Sequence, residues 1–452
     1  MKSYVVSGAF WSTLNRGSAA VGAFAVNAIL VLLLPMADVG AFMVAQGIVQ
    51  VAASLALLGS NFAVIRYLPQ PALIGCKSRN GVVTTTGLLG LAGTLLALIL
   101  FVDPLRTRLW TLVGAPGVAS FGLLMLVWFV SRVIRRFFSG SLRGLTLMRD
   151  GALSENVLYY GVLVVGLAGL WWSGATVTLE RAIVAAVIGS VVAALYAIVA
   201  LCLHIKFFPI EFAEEPSRNL KEAFSTSLPL LFLEQSRTFS PQLGLWLVAA
   251  YCNLETAAVF GLAHKVMQLM AVPTAVLTIV ARPLVASLDA DGEIERSEKG
   301  FRVLSTVNTV LTTLLLIAIV VLLPMLGSKI DAGYAAVVGV SVWLVLGRLV
   351  FAAFGPCDIL LSMTGHERPL VKTWILIDVF VALGAFFAVG QFGAYGVAAA
   401  LAFGFALKGF GSWRMCVDRM KTQTHLFWVP AQFVSGLRQL RTMDKLIRKT
   451  AS

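Results

Sequence analysis

Charge is what this 452-residue chain has least of: Asp, Glu, Lys and Arg make up 13% of it, against 59% hydrophobic residues. A soluble domain carries about 25% charged residues. With a mean hydropathy of +0.89, a soluble enzyme, a disordered chain and a fibrous protein are all excluded. Cysteine is also scarce. The five present (Cys76, Cys202, Cys252, Cys357 and Cys416) form no C-x-x-C pair, which predicts neither a structural disulfide nor a cysteine metal site. The four histidines are scattered, without an H-E-x-x-H, so no metal and no cofactor is expected. No G-x-x-x-x-G-K-S/T occurs, so ATP hydrolysis is not expected either, and the chain does not read as an enzyme.

Long apolar blocks, by contrast, are plentiful. About 20 helical residues cross a hydrocarbon core of roughly 30 Å. Charged or Gly/Pro-rich breaks divide the chain into twelve such blocks. The first six lie near Gly8–Leu34, Val39–Phe62, Val82–Val102, Leu112–Val133, Leu153–Trp172 and Ala182–Leu203. The second six lie near Ala223–Ala250, Thr256–Val280, Val303–Leu326, Ala335–Leu361, Leu370–Val389 and Gly393–Trp413. An all-α polytopic membrane protein is expected. Its first block is too long, and too poor in cleavage signals, for a removable signal peptide.

Basic residues outnumber acidic ones by 35 to 22, a net charge of +13. In a soluble protein that excess would suggest nucleic acid. Here its placement argues otherwise. With the N-terminus inside, the outer loops hold only Arg106, Arg108, Arg181 and Lys329. The inner side receives Arg66, Lys77, Arg79, Arg132, Arg135, Arg136, Arg143, Arg149, Lys206, Arg218, Lys221, Arg282, Arg296, Lys299, Arg302, Arg368 and Lys372, then a basic tail. Positive-inside bias thus predicts both termini in the cytoplasm and removes the need for a nucleic-acid partner. In the tail, Pro430 precedes Phe433, Leu437, Leu440, Leu446 and Ile447 on roughly one face, with Arg438, Arg441, Lys445, Arg448 and Lys449 around them. That pattern predicts a basic amphipathic helix against membrane lipids.

A shift of about 217 residues superposes the chain on itself, as in transporters built from parallel repeats. Asp38–Phe42 meets Glu255–Phe260, Gln50 pairs with Gln268, and Arg66 falls near Arg282. Ser131-Arg132 and Phe138–Gly140 meet Gly347-Arg348 and Phe354–Pro356. The expected organisation is one six-helix bundle over residues 1–215, a second over 216–416 related to it by a pseudo-two-fold along the membrane normal, and a cytoplasmic tail over 417–452.

Several segments resemble a known family. Asp38–Pro69, with its G-x-F start and its Arg66-Tyr67-Leu68-Pro69 end, is similar to the second-helix signature of polysaccharide flippases. Leu228-Pro229-Leu230-Leu231 resembles the opening of their seventh helix. Gly355-Pro356, Met363–His366 and Phe392–Ala400 resemble their "GP…TG…FGxxGAAxA" pattern. This is the polysaccharide branch of the multidrug/oligosaccharidyl-lipid/polysaccharide exporter superfamily. The resemblance runs from Ser7 to about Trp413. It implies two bundles in a V shape working by alternating access, and a polyprenyl-pyrophosphate-linked oligosaccharide moved to the outer leaflet of a bacterial inner membrane. It also implies glycan polymerase and glycosyltransferases as partners. Cytoplasmic loops and tail vary freely in that family, so the basic tail takes no function from the resemblance.

Ionisable side chains inside spans are costly and usually face a cavity or a partner. They are Arg16, Glu234, Arg237, Lys265, Arg348 and Asp378, four cations against two anions, with His264 beside Lys265. A planar guanidinium holds phosphate oxygens in pairs. Arg16, Arg237, Lys265 and Arg348 are therefore the candidate cationic cavity for a pyrophosphate head group, the alternative being local neutralisation of each. Glu234 and Asp378 are candidates for H+ or Na+ coupling or, more simply, counter-ions. Asn15, Asn27, Gln46, Gln50 and Gln268 could bond sugar hydroxyls, although such residues more often tie helices together. Three other readings compete: a peptidoglycan-precursor flippase, a cation-coupled multidrug antiporter, and a non-transporting scaffold for glycan enzymes. The surplus of buried cations disfavours a cavity for cationic drugs.

Overall fold

The computed structural model describes residues 2–71, 76, 79–174, 176–204, 216–274, 277, 285, 298–327 and 333–427. Arg282, Trp428 and the tail helix expected over Pro430–Lys449 lie outside them. Every regular element among the described residues is helical. Nine helices there are long and apolar enough to cross a membrane. The chain divides into two compact units, Met1–Leu262 and Ala263–Ser452.

The first unit contains α1 (Lys2–Leu33), α2 (Met36–Ala56), α3 (Ser60–Tyr67), α4 (Arg79–Leu98), α5 (Leu105–Leu112), α6 (Gly122–Gly144), α7 (Met148–Ala152), α8 (Leu158–Trp172), α9 (Leu179–His204) and α10 (Pro216–Tyr251), and enters α11 (Leu254–Met270). α2 is its central post. Sixteen of the 21 residues of α2 are buried, so it is enclosed on all sides by α4, α6, α9 and α10 rather than by lipid. Gly40 explains why the G-x-F start needs glycine. A Cβ there would overlap the Leu254 carbonyl at the start of α11 and crowd the Ala258 backbone nitrogen. We predict that Gly40→Ala forces these backbones apart at a cost of about 1–3 kcal/mol, the range of core overpacking. A lowered melting temperature of the purified variant is the measurement.

The expected fourth span, Leu112–Val133, is displaced. Its helix is α6, which begins at Gly122 and continues through Arg132, Arg135, Arg136 and Arg143 to Gly144. Along it Arg135 is only 4% exposed. The apolar series Val130, Val133, Ile134, Phe137 and Phe138 keeps helical spacing on one face, which carries the helix onward. The arginines occupy the other face.

The second unit holds α12 (Glu298–Gly327), α13 (Gly333–Ala353), α14 (Cys357–Met363) and α15 (Glu367–Met420). The 54-residue α15 is two antiparallel stretches joined at Gly393, whose φ of 55° and ψ of −137° suit glycine. It thus contains both of the last two expected spans. Beyond it, Lys421–Phe427 forms an ordered strap. Leu426 N donates to the Ala353 carbonyl at 2.9 Å, Phe427 N to Thr306 Oγ1 at 2.9 Å, and Thr424 Oγ1 to the Phe354 carbonyl at 2.8 Å. Arg302 donates through Nε to the His425 carbonyl at 3.2 Å, and its guanidinium lies 4.4 Å over the Phe427 ring.

His425 Nε2 faces Arg302 Nη2 at 3.3 Å. Burial, then the Arg302 charge, lowers the His425 pKa, with Glu298 opposing. A lowered folded-state pKa means the unfolded chain takes up the proton first. The strap's contribution is therefore complete above the unfolded histidine value of about 6.5 and is lost as pH falls through the folded one. Melting temperatures measured from neutral to mildly acidic pH should drop for the wild type and drop less for His425→Gln.

Candidate functional site

The densest polar cluster of the first unit lies between α1, α6 and the turn Leu153–Val157 that joins α7 to α8. This turn is π-helical, a widening that often marks functional positions. It carries Glu155 and Asn156, both of which meet α1. Asn15 Nδ2 donates to Glu155 Oε2 at 2.7 Å, and Asn15 Oδ1 accepts from Asn156 Nδ2 at 2.8 Å. Glu155 also takes both guanidinium amines of Arg143, each at 3.1 Å. That two-pronged geometry is the strong form of the carboxylate–guanidinium contact.

The other arginines of α6 are less well neutralised. Arg136 Nη2 reaches Glu234 Oε1 on α10 at 3.7 Å. Arg135 is held by an aromatic face, its Cζ 4.3 Å from the Tyr159 ring centroid. Among the described residues, Arg135 Nε and Nη1 and Arg132 Nε are buried without a hydrogen-bond acceptor. Tyr159 in turn accepts at its hydroxyl from Gln46 Nε2 at 3.5 Å and packs edge-on against Tyr160. Among the described residues, the four guanidiniums of α6 therefore stand against two carboxylates, Glu155 and Glu234. Such an arrangement holds a positive potential in a low-dielectric setting and can accept an anion with several oxygens.

Of the residues singled out in the sequence, Arg16 is half-buried on α1 beside Asn15. Both polar ends of Asn15 are taken up by Glu155 and Asn156, so in this structure it ties helices together. Asn27 is 1% exposed and donates to the Ala23 carbonyl one turn back at 2.6 Å. Gln46 is buried on Tyr159, and Gln50 is half-buried. Glu234 pairs with Arg136 rather than standing alone; the Arg237 side chain lies outside the described residues.

In the second unit, His264 and Lys265 are buried on α11, and Gln268 is half-buried. Arg348 on α13 lies against two aromatic rings, with Cζ 4.9 Å from the Phe351 centroid and 5.9 Å from that of Phe405. Asp378 pairs with Lys408 at 2.6 Å.

Sequence reasoning passed over Arg135, Arg136, Arg143, Glu155, Tyr159 and Lys408. A signal for the arginines was present. Arg132, Arg136 and Arg143 recur at intervals of four and seven opposite an apolar stripe, the spacing of one helix face.

The sequence model of the family described as "Polysaccharide biosynthesis protein" matches residues 5–288. No curated protein sequence matches the chain. Solved structures are similar in fold. An inward-facing multidrug resistance MATE family transporter of the MOP superfamily superposes with a TM-score of 0.68 at 16% identity, covering 96% of this chain and 99% of its own. A MATE protein in complex with MaL6 gives 0.60 at 16% identity, covering 98% and 97%. An outward-facing multidrug resistance MATE family transporter gives 0.54 at 18%, also covering 98% and 97%.

Proposed function

The chain belongs to the polysaccharide biosynthesis protein family, and from that premise we propose that it is a flippase for polyprenyl-pyrophosphate-linked oligosaccharides. It would move them by alternating access from the inner to the outer leaflet of a bacterial cytoplasmic membrane, with both of its termini in the cytoplasm. The family match and the transporter fold support a membrane exporter. At 16–18% identity the drug-exporting neighbours bear on architecture alone.

The observation that carries the choice of substrate is the surplus of guanidiniums on α6. A cationic drug would be repelled there, whereas a pyrophosphate would supply the oxygens that Arg132 and Arg135 lack. In this reading Arg132 and Arg135 join Arg16 and Arg237 as head-group cations of the first unit, and Lys265 and Arg348 are the candidate cations of the second. Glu155 and Glu234 set how many of these cations stay available. Gln50 and Gln268 remain the candidates for sugar hydroxyls. Glycan polymerase and glycosyltransferases would act on either side of the transfer. The peptidoglycan-precursor alternative shares the cationic requirement and differs only in the glycan.

The test is reconstitution of the full chain in vesicles carrying a fluorescent lipid-linked oligosaccharide in the inner leaflet. Wild-type protein should expose the glycan to an externally added glycosidase, and cells lacking the protein should accumulate the intermediate on the cytoplasmic face. Correctly folded protein that exposes none would overturn the reading. Export that survives Arg16→Ala with Arg348→Ala but fails on deletion of Thr422–Ser452 would favour the scaffold.

A further inference from the structure

The first unit contains an apolar groove that the head-group reading leaves unused. It runs between α4 and α6, encloses about 480 Å³ and has an almost wholly apolar lining. Leu57, Val83, Val133 and Phe137 form its buried floor, and Leu88 and Leu91 its exposed rim. Thr94 also lines it, but Thr94 Oγ1 donates to the Gly90 carbonyl at 2.6 Å and so turns its donor away from the groove. On α4 the lining extends from Val83 to Thr94, eleven residues or about 16 Å, half the thickness of a hydrocarbon core.

The glycines of α4 show that this space is not a by-product of close helix packing. A Cβ at Gly90 would crowd Ser60 Oγ at 2.8 Å, and one at Gly93 would overlap the Ala56 carbonyl. Gly87 differs. A Cβ there meets only the Phe137 ring, at 3.6 Å or more, an ordinary contact. Packing therefore does not require glycine at this position, and glycine weakens a helix relative to alanine. Its missing side chain keeps the groove open beside the Phe137 ring.

Charge marks one end of the groove. Arg79, one turn from Val83, begins α4 and is exposed. α3 runs beside α6 towards the same end, with Asn61 against Gly140 and Val64 against Gly144, so the exposed Arg66 stands there too. Both arginines sit where the proposed orientation puts the cytoplasmic surface. An apolar channel half a core deep with cations at its inner mouth fits an amphiphile that has a hydrocarbon tail and an anionic head.

We propose that this groove docks the isoprenoid tail of the lipid-linked substrate, with Arg66 and Arg79 meeting its pyrophosphate at the membrane surface; this rests on the flippase reading above. A methyl-branched isoprenoid fills the notch at Gly87, whereas a straight acyl chain leaves part of it empty and forfeits those contacts. The groove and the guanidiniums of Arg132 and Arg135 lie on opposite faces of α6. One bound head group therefore does not occupy both places at once. The groove serves capture, and the arginines of α6 serve transfer.

The test is photolabelling of the purified full chain in vesicles with a polyprenyl pyrophosphate carrying a diazirine on its tail. Label should fall on the α4 and α6 peptides that contain Gly87 and Phe137. Gly87→Leu, whose Cβ has room, should fill the groove and lower that labelling roughly tenfold. It should also raise the substrate concentration that half-saturates flipping. Gly87→Ala fills less of the space and should give the same result in smaller measure if the leucine variant folds poorly. Arg66→Gln/Arg79→Gln should weaken labelling by the pyrophosphate but not by the uncharged polyprenol; unchanged pyrophosphate labelling removes the two arginines from the site. Phosphatidylglycerol with the diazirine on an acyl chain is the comparison. If it labels these peptides as strongly as the polyprenyl probe does, the groove belongs to ordinary membrane lipid and the proposal is overturned. Labelling that Gly87→Leu leaves unchanged overturns it as well. Wild type that flips without label in the groove overturns the groove and leaves the flippase reading standing. Wild type that is labelled there but does not flip overturns the flippase reading and leaves an isoprenoid-binding site.

Discussion

Glu155→Ala should unsettle the first unit more than any other single truncation of a side chain on its polar face. Glu155 is the only carboxylate that Arg143 meets among the described residues, and it also anchors Asn15 of α1. Removing one partner of a buried pair costs about 3–5 kcal/mol. Glu155 is 22% exposed and Arg143 29%, so the lower end of that range applies. The loss should appear as a lower melting temperature, since a domain's total stability is only about 5–15 kcal/mol. Glu155→Gln should be milder, keeping an acceptor for Asn15 while losing the charge.

The double variant Glu155→Met/Arg143→Met separates charge from packing. If the loss comes from an uncompensated guanidinium, the double variant should recover most of it. A double variant as unstable as Glu155→Ala would mean that α1 depends on the Asn15 contact instead. Flipping by the single variant is expected to fail as well, because α1 carries Arg16 next to Asn15.

The all-helical fold and most spans were legible in the sequence because the membrane imposes a simple rule of apolar length. Helix breaks inside the spans were less so. The expected second span is divided at Leu57–Gly59 into α2 and α3, and the expected tenth at Phe354–Pro356 into α13 and α14. An apolar window cannot register such breaks, since the residues on both sides stay apolar. The site was legible only in its isolated charges. Arg16, Glu234, Arg348 and Asp378 stand out against apolar neighbours, whereas Arg132–Arg143 form a run, and a run reads as a loop. Lys408 was missed because its partner is thirty residues away in sequence, and only the hairpin register brings it to Asp378.

Arg135 separates function from structure by the sign of its effect. The residue is 4% exposed, and among the described residues it has no carboxylate pair and two donor nitrogens unfilled. Burying such a charge opposes folding, and the Tyr159 face recovers only part of that cost. Arg135→Met should therefore leave the melting temperature unchanged or raise it, much as buried charges elsewhere can be replaced by apolar groups of similar volume. Transport should fall. A hydrogen bond to a charged group contributes about 1.5–3 kcal/mol, so losing one head-group contact predicts a slowing of roughly 10- to 100-fold. Arg132→Ala should act in the same direction. Arg135→Lys should not rescue, because an ammonium keeps the charge but loses both the planar stack on Tyr159 and the paired donors. If Arg135 served packing alone, Arg135→Met would lower stability and spare flipping, and that outcome would remove it from the substrate path.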